Sequence, residues 1–124
     1  MNKTALQTVQ NFQMSLENGT NEWTELISDD ISFTGPVDRV NGKEKFIELN
    51  KGFFPMIRNY EQLNAFESGN FVCLESSYKV ATPKGNEIEC KMGEVYTVSK
   101  GQIQSIRVYY DAEKFREEFG IIKK

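Results

Sequence analysis

The chain contains no histidine. That removes the Ser-His and Cys-His nucleophile pairs and the usual transition-metal ligand, so no metal site is expected. Neither common glycine-rich phosphate loop occurs. No apolar run approaches the roughly 18 residues of a membrane span. Lys and Arg are never concentrated, and the net charge is −3 with a pI near 5.1. Polyanion binding needs a clustered basic face, so neither nucleic acid nor membrane is an expected partner. The opening Met1-Asn-Lys-Thr-Ala-Leu-Gln7 lacks the apolar core of a signal peptide, which makes the cytoplasm the expected location. Only two cysteines, Cys73 and Cys90, are present. Any catalysis must therefore run on carboxylates, tyrosines, lysines or water.

What the chain does have is aromatic side chains: nine Phe, five Tyr and one Trp spread over 124 residues. That length suits one domain, residues 1–124, with a core large enough to need no staples. Ala5, Leu6, Val9, Phe12 and Leu16 recur at helical spacing over residues 4–17; Thr4 with Gln7 forms a capping box and Asn18-Gly19 a stop. A short helix capped by Asn21 carries Trp23, Leu26 and Ile27. It is followed by a brief strand, Ile31–Thr34, ended by Gly35-Pro36. A third helix starts from Asn41 as cap, with Phe46, Ile47, Leu49, Phe53 and Phe54 as its apolar face.

Four extended runs follow, at residues 59–67, 70–82, 86–98 and 102–110. The turns between them, Ser68-Gly69, Pro83-Lys84-Gly85 and Ser99-Lys100-Gly101, are short and imply antiparallel neighbours. Helices first and a meander of long strands afterwards predict an α+β fold: a curved antiparallel sheet wrapped around three N-terminal helices, with a short helix at the C-terminal end. Centring one hairpin near Lys84 places Tyr78 opposite Cys90 and Cys73 near Val95, on opposite faces. Two reduced thiols are expected.

Strand alternation sorts the side chains. Val72, Leu74, Tyr78 and Val80 share the helix-covered face with Ile88, Cys90, Met92, Glu94, Tyr96 and Val98, and with Ile106, Val108 and Tyr110. Apart from Glu94 and Ser76 that face is apolar and aromatic. Its predicted cavity is lined by Phe12, Phe33, Phe54, Leu74, Tyr78, Met92, Tyr96 and Val108. Glu94 admits two roles. On an apolar face its carboxyl is desolvated and suited to proton transfer. Alternatively, Gly93 introduces a bulge that turns it outward, or Arg107 on the next strand pairs with it. Asp111 also has two: a helix cap before Ala112-Glu113-Lys114, or a catalytic carboxylate at the pocket mouth beside Tyr110.

The order of these pieces resembles the SnoaL-like branch of the nuclear transport factor 2-like superfamily over nearly the full length. The carrying residues are Trp23 with Leu26-Ile27, Asp29-Asp30, Gly35-Pro36, Asn41-Gly42-Lys-Glu44, Arg107-Val-Tyr-Tyr-Asp111, and Phe115 with Phe119-Gly120. The resemblance implies a cone-shaped sheet, a hydrophobic pocket for an apolar or aromatic small molecule, and frequent homodimers through the sheet. It includes ketosteroid isomerases, polyketide cyclases, limonene epoxide hydrolases and non-catalytic binders. The isomerase tyrosine falls at Phe12, its catalytic aspartate at Gly35, and its second acid near Gly93. An aspartate at or near Asp111 is shared with the cyclases and hydrolases. The hydrolase's Arg and Asp pair is replaced by Glu89, Lys91 and Glu94. The expected chemistry is cofactor-independent acid/base work by Asp111, with Tyr110 and Glu94 assisting; the alternative is a non-enzymatic ligand-binding or dimeric interaction module. The outward face, with Glu61, Glu67, Glu75, Lys79, Glu89 and Lys91, is either a charged dimer seam or simply solvated.

Overall fold

The computed structural model describes residues 4–121; the outermost ends of the expected single domain lie outside them. In chain order the elements are α1 (Ala5–Asn18), a 3₁₀ turn (Glu22–Leu26), β1 (Ile27–Thr34), β2 (Arg39–Asn41), α2 (Lys43–Phe53), a second 3₁₀ turn (Phe54–Met56), β3 (Ile57–Ser68), β4 (Phe71–Ala81), β5 (Glu87–Ser99), β6 (Gln102–Tyr109) and α3 (Glu113–Phe119). The six strands form one curved, unclosed sheet in the order β2-β1-β6-β5-β4-β3.

The α+β architecture is the expected one, but the sheet is mixed. β3 to β6 form the predicted antiparallel meander, while β1 runs parallel to β6, with Phe33 beside Ile106. β1 also begins four residues earlier than the brief strand read from sequence, at Ile27, because that residue pairs with Ile103 instead of closing the preceding turn. The short β2 hydrogen-bonds to β1 through Asn41 opposite Ser32. This takes Asn41 out of the capping position expected of it. Gly42, at φ 96°, precedes α2 instead and offers no side-chain cap. Asn21 likewise makes no side-chain cap to the first 3₁₀ turn.

Local chemistry explains the elements that anchor the pocket. Thr4 Oγ1 accepts from the Gln7 amide and Gln7 Oε1 from the Thr4 amide, the reciprocal pair expected at the start of α1. Glu67 accepts from the Leu6 amide at 2.8 Å, so it turns to the helix end and leaves the outer sheet face. Gly19, at φ 71°, closes the helix in the left-handed conformation that glycine reaches without strain. The β4–β5 register is the predicted one, with Tyr78 opposite Cys90 and Cys73 opposite Val95. Both cysteines are free thiols.

Two aromatic clusters fill the space between helices and sheet. Phe12, Trp23, Phe33 and Phe46 pack against one another, Phe12 and Phe46 stacked and the other pairs edge-on or tilted, and Phe12 meets Tyr96 edge-on, with ring centroids 5.9–6.4 Å apart. Nearer α3, Tyr78 packs on Tyr60 at 4.9 Å, while Phe115 contacts Phe53 and Tyr110 and stacks on Phe119 at 4.3 Å. α3 is held there by Glu118, which accepts from Thr82 Oγ1 and Asn86 Nδ2, and by Arg116, which donates to the Pro36 carbonyl.

Candidate functional site

The aromatic clusters do not close completely. Between them lies a cavity of about 820 Å³, within the size range of small-molecule sites. α1, α2 and its trailing 3₁₀ turn, the start of β3, and the inner faces of β4, β5 and β6 wall it. Phe12, Phe33, Phe54, Tyr78, Met92, Tyr96 and Val108 line it, together with Glu94 and Tyr110. Leu74 does not reach it. That side chain is fully buried beside Glu94, its cross-strand partner, and belongs to the packed core.

Glu94 is the chemical centre of the cavity. The residue is 5% exposed, and its register continues unbroken from Gly93 opposite Tyr109 to Glu94 opposite Val108. No bulge turns it outward. Arg107 stands opposite Val95, on the other face of the sheet, and makes no ion pair with Glu94. The carboxylate is met by hydroxyls instead. Ser76 Oγ donates to Oε1 at 2.7 Å, Tyr78 donates to Oε2 at 3.1 Å, and Tyr96 approaches Oε2 at 3.4 Å. Gln13 Nε2 donates to the Tyr96 hydroxyl at 2.6 Å, and the Tyr60 hydroxyl lies 3.3 Å from Ser76 Oγ.

Burial raises the Glu94 carboxyl above the usual carboxylate value; the hydrogen bonds from Ser76, Tyr78 and Tyr96 oppose that shift without cancelling it. The same desolvation, with Glu94 adding repulsion, lifts Tyr78 and Tyr96 well above the normal phenol range. Tyr60 is pushed up to about 12 chiefly by burial. The tyrosines therefore stay protonated at neutral pH and act as donors. Such a group of fixed O–H dipoles around one proton-exchanging carboxyl can give or take a proton at a bound molecule and hold an oxygen in place.

Asp111 is placed differently. It is exposed, does not line the cavity, and accepts from the Glu113 amide at 3.1 Å in the first turn of α3. Its neighbour Tyr110 turns inward, half-buried, with burial raising its phenol. The structure thus brings Tyr110 and Glu94 to one cavity and leaves Asp111 outside it.

Four contributors were not singled out from sequence. Ser76 was visible only as a polar exception on the inner face. Tyr60 becomes part of the site because it is the cross-strand partner of Tyr78. Gln13 lies on the buried side of α1, and nothing local announces that it reaches a residue 83 positions away. Asp38 also lines the cavity, and partial desolvation raises its carboxyl. Gly35 explains a further absence: a Cβ there would sit 2.8 Å from Val108 Cγ2, so that position has no room for an acidic side chain. Among the described residues no group of three or more Cys, Asp or Glu converges as a metal site.

Several solved structures share this architecture. A nuclear transport factor 2-like protein of unknown function from Burkholderia pseudomallei superimposes with a TM-score of 0.81 at 14% identity, over 95% of this chain and 98% of that one. A candidate SnoaL-like polyketide cyclase from Jannaschia gives 0.79 at 14%, over 99% of both. A candidate isomerase from Bacillus subtilis gives 0.76 at 22%, over 95% and 94%. At these identities the likeness concerns the fold. No curated protein matches the chain. The family model for the SnoaL-like domain matches residues 11–106, more than half of the sequence, and the chain belongs to that family.

Proposed function

We propose that this protein binds an apolar or aromatic small molecule in its cone cavity and carries out cofactor-independent acid/base chemistry on it, an isomerisation, a cyclisation or an addition of water. The supporting observation is Glu94: a buried carboxyl of raised pKa, lining an aromatic cavity and oriented by Ser76, Tyr78 and Tyr96. In this reading Glu94 transfers the proton, and the hydroxyls of Tyr78 and Tyr96 hold its carboxyl in place by donating to Oε2. Tyr110 shapes the wall beside them. Asp111 supports α3, which carries Phe115 into the cavity. The test is turnover of a compound library by the parent protein and by Glu94→Gln, with ligand binding followed separately. Binding that survives while turnover collapses supports the reading; equal turnover by both overturns it.

Binding without turnover by either protein would favour the second reading, a non-enzymatic ligand-binding or dimeric module. One observation favours a homodimer through the sheet. Phe66 and Phe71, 62% and 52% exposed, lie near each other on the outer face with Cys73 and Val95, bordered by Glu75, with Lys79, Glu89 and Lys91 farther along the strands. Sedimentation equilibrium of Phe66→Ser/Phe71→Ser is expected to shift a dimeric parent toward monomer. A cytoplasmic setting is consistent with two free thiols. No helix among the described residues is long and apolar enough to cross a membrane.

A further inference from the structure

The charges lining the cavity are segregated. Inside, among the described residues, the titratable groups are the Glu94 carboxyl and tyrosine hydroxyls, with no cation among them; Asp38, on the β1–β2 side, is exposed at the edge. At the rim stand Lys51, in the last turn of α2, and Arg58, at the start of β3, both exposed. Neither enters an ion pair among the described residues. The Arg58 guanidinium is held by the Pro55 carbonyl at 2.6 Å, which directs it along the same 3₁₀ turn that places Phe54 in the cavity wall. Glu17, at the end of α1, and Asp38, on the β1–β2 side, are the exposed acids of the lining, and neither enters an ion pair among the described residues.

Taking the cavity as a ligand site, the reading on which this step rests, we propose that its ligand is amphipathic. A neutral aromatic or alicyclic body carrying a hydroxyl or carbonyl lies inside, and an anionic group (carboxylate, sulfate or phosphate) lies at the mouth against Lys51 and Arg58. The physical reason is orientation. An anion placed inside meets the Glu94 carboxyl and loses its hydration among phenyl rings, a cost no cation inside offsets. At the rim the same group stays hydrated and gains two cations, one of them a guanidinium able to take two oxygens at once. The ring end alone then reaches Glu94.

The experiment uses two dyes with one ring system. Anilinonaphthalene sulfonate and N-phenylnaphthylamine share a naphthyl-phenylamine body, and only the first carries an anion. Each is titrated into the full chain, with its location read from amide chemical shifts. Both are expected to perturb cavity-lining amides, among them Trp23, Tyr78 and Met92. Lys51→Gln/Arg58→Gln is expected to weaken the sulfonate by about three- to tenfold, the scale of two exposed charge contacts, and to leave the neutral amine unchanged. Added salt should act on the sulfonate alone, and Lys51→Arg/Arg58→Lys should restore it. If both dyes occupy the cavity and the variants treat them alike, the amphipathic assignment falls while the cavity remains a ligand site. If neither perturbs cavity amides, or both settle on the Phe66 and Phe71 face, the cavity reading falls with it.

Discussion

The middle of β5 and the end of β6 each carry a carboxylate next to tyrosines, and the fold treats them in opposite ways. Glu94 has strand neighbours on both sides, so the pleat drives its side chain into the helix-covered interior, where only hydroxyls meet it. Asp111 comes after the last paired residue of β6. No neighbouring strand dictates its direction, and it turns to the nearest unpaired backbone donor, the Glu113 amide. A carboxylate inside a sheet takes its chemistry from the sheet's parity; one at a strand end takes it from the next helix.

The sharpest test of that contrast is catalytic. On any substrate the protein turns over, Glu94→Gln is expected to lower kcat by about 10²–10⁴, the range of general acid/base contributions, while Asp111→Asn leaves kcat unchanged. A large loss from Asp111→Asn with none from Glu94→Gln would invert the assignment. Next in size is the support of Glu94. Ser76 is fully buried and makes the shortest of its contacts. Ser76→Ala leaves that carboxyl oxygen without its donor, and chemical denaturation is expected to show a loss of about 1–3 kcal/mol. The corresponding change beside Asp111, Glu113→Ala, keeps the backbone amide that Asp111 uses and should be close to silent.

Much of the first region was legible before any coordinates. The tight turn at residues 83–85 set the β4–β5 pairing, so parity alone put Glu94 on one face with Met92, Tyr96 and Tyr78. What parity could not supply was the partner. Arg107 looked near in sequence register, yet it stands across from Val95 and therefore on the other face. The hydroxyl ring around Glu94 depends on Gln13, whose approach to Tyr96 is decided by the rotation of α1 on the sheet. The parallel β1–β6 pair and the three-residue β2 were illegible for a similar reason. Their stabilisation comes from contacts distant in sequence, and neither short segment carries a periodic signal of its own. At Asp111 the helix N-cap and the catalytic role shared one local pattern; the structure puts Ala112 at the N-cap position and leaves Asp111 one residue before it, exposed and accepting from the Glu113 amide.

Titration offers a quieter comparison. The folded-state pKa of Glu94 lies above its ordinary value of 4.5. Its protonated form is therefore the one the fold favours: the contribution is fully present below pH 4.5 and is lost as pH rises through the elevated folded value. Glu94→Gln, which cannot ionise, should gain stability relative to the parent across that rise, and thermal melts at stepped pH follow the difference. A parent whose stability relative to Glu94→Gln grows with pH would mean that the hydroxyls, and not burial, dominate the carboxyl.

The smallest expected effect belongs to Asp111 itself. Its oxygen satisfies one amide at the start of α3, and its negative charge faces the positive end of a seven-residue helix. Asp111→Ala removes both and should cost about 0.5–1 kcal/mol, whereas Asp111→Asn keeps the acceptor and should lose less. The difference matters to the cavity because α3 carries Phe115 into its wall. If this bond to the Glu113 amide is the whole role, Asp111→Ala weakens ligand binding only as far as it loosens α3, and strengthening the other tether of that helix compensates for it. That tether is the contact of Glu118 with Thr82 and Asn86, at 2.8 and 2.9 Å. Glu118→Ala alone should therefore reproduce the binding defect of Asp111→Ala without touching any carboxylate near the site. If Asp111→Ala abolishes binding while Glu118→Ala leaves it intact, Asp111 has a direct role at the ligand, and the contrast with Glu94 disappears.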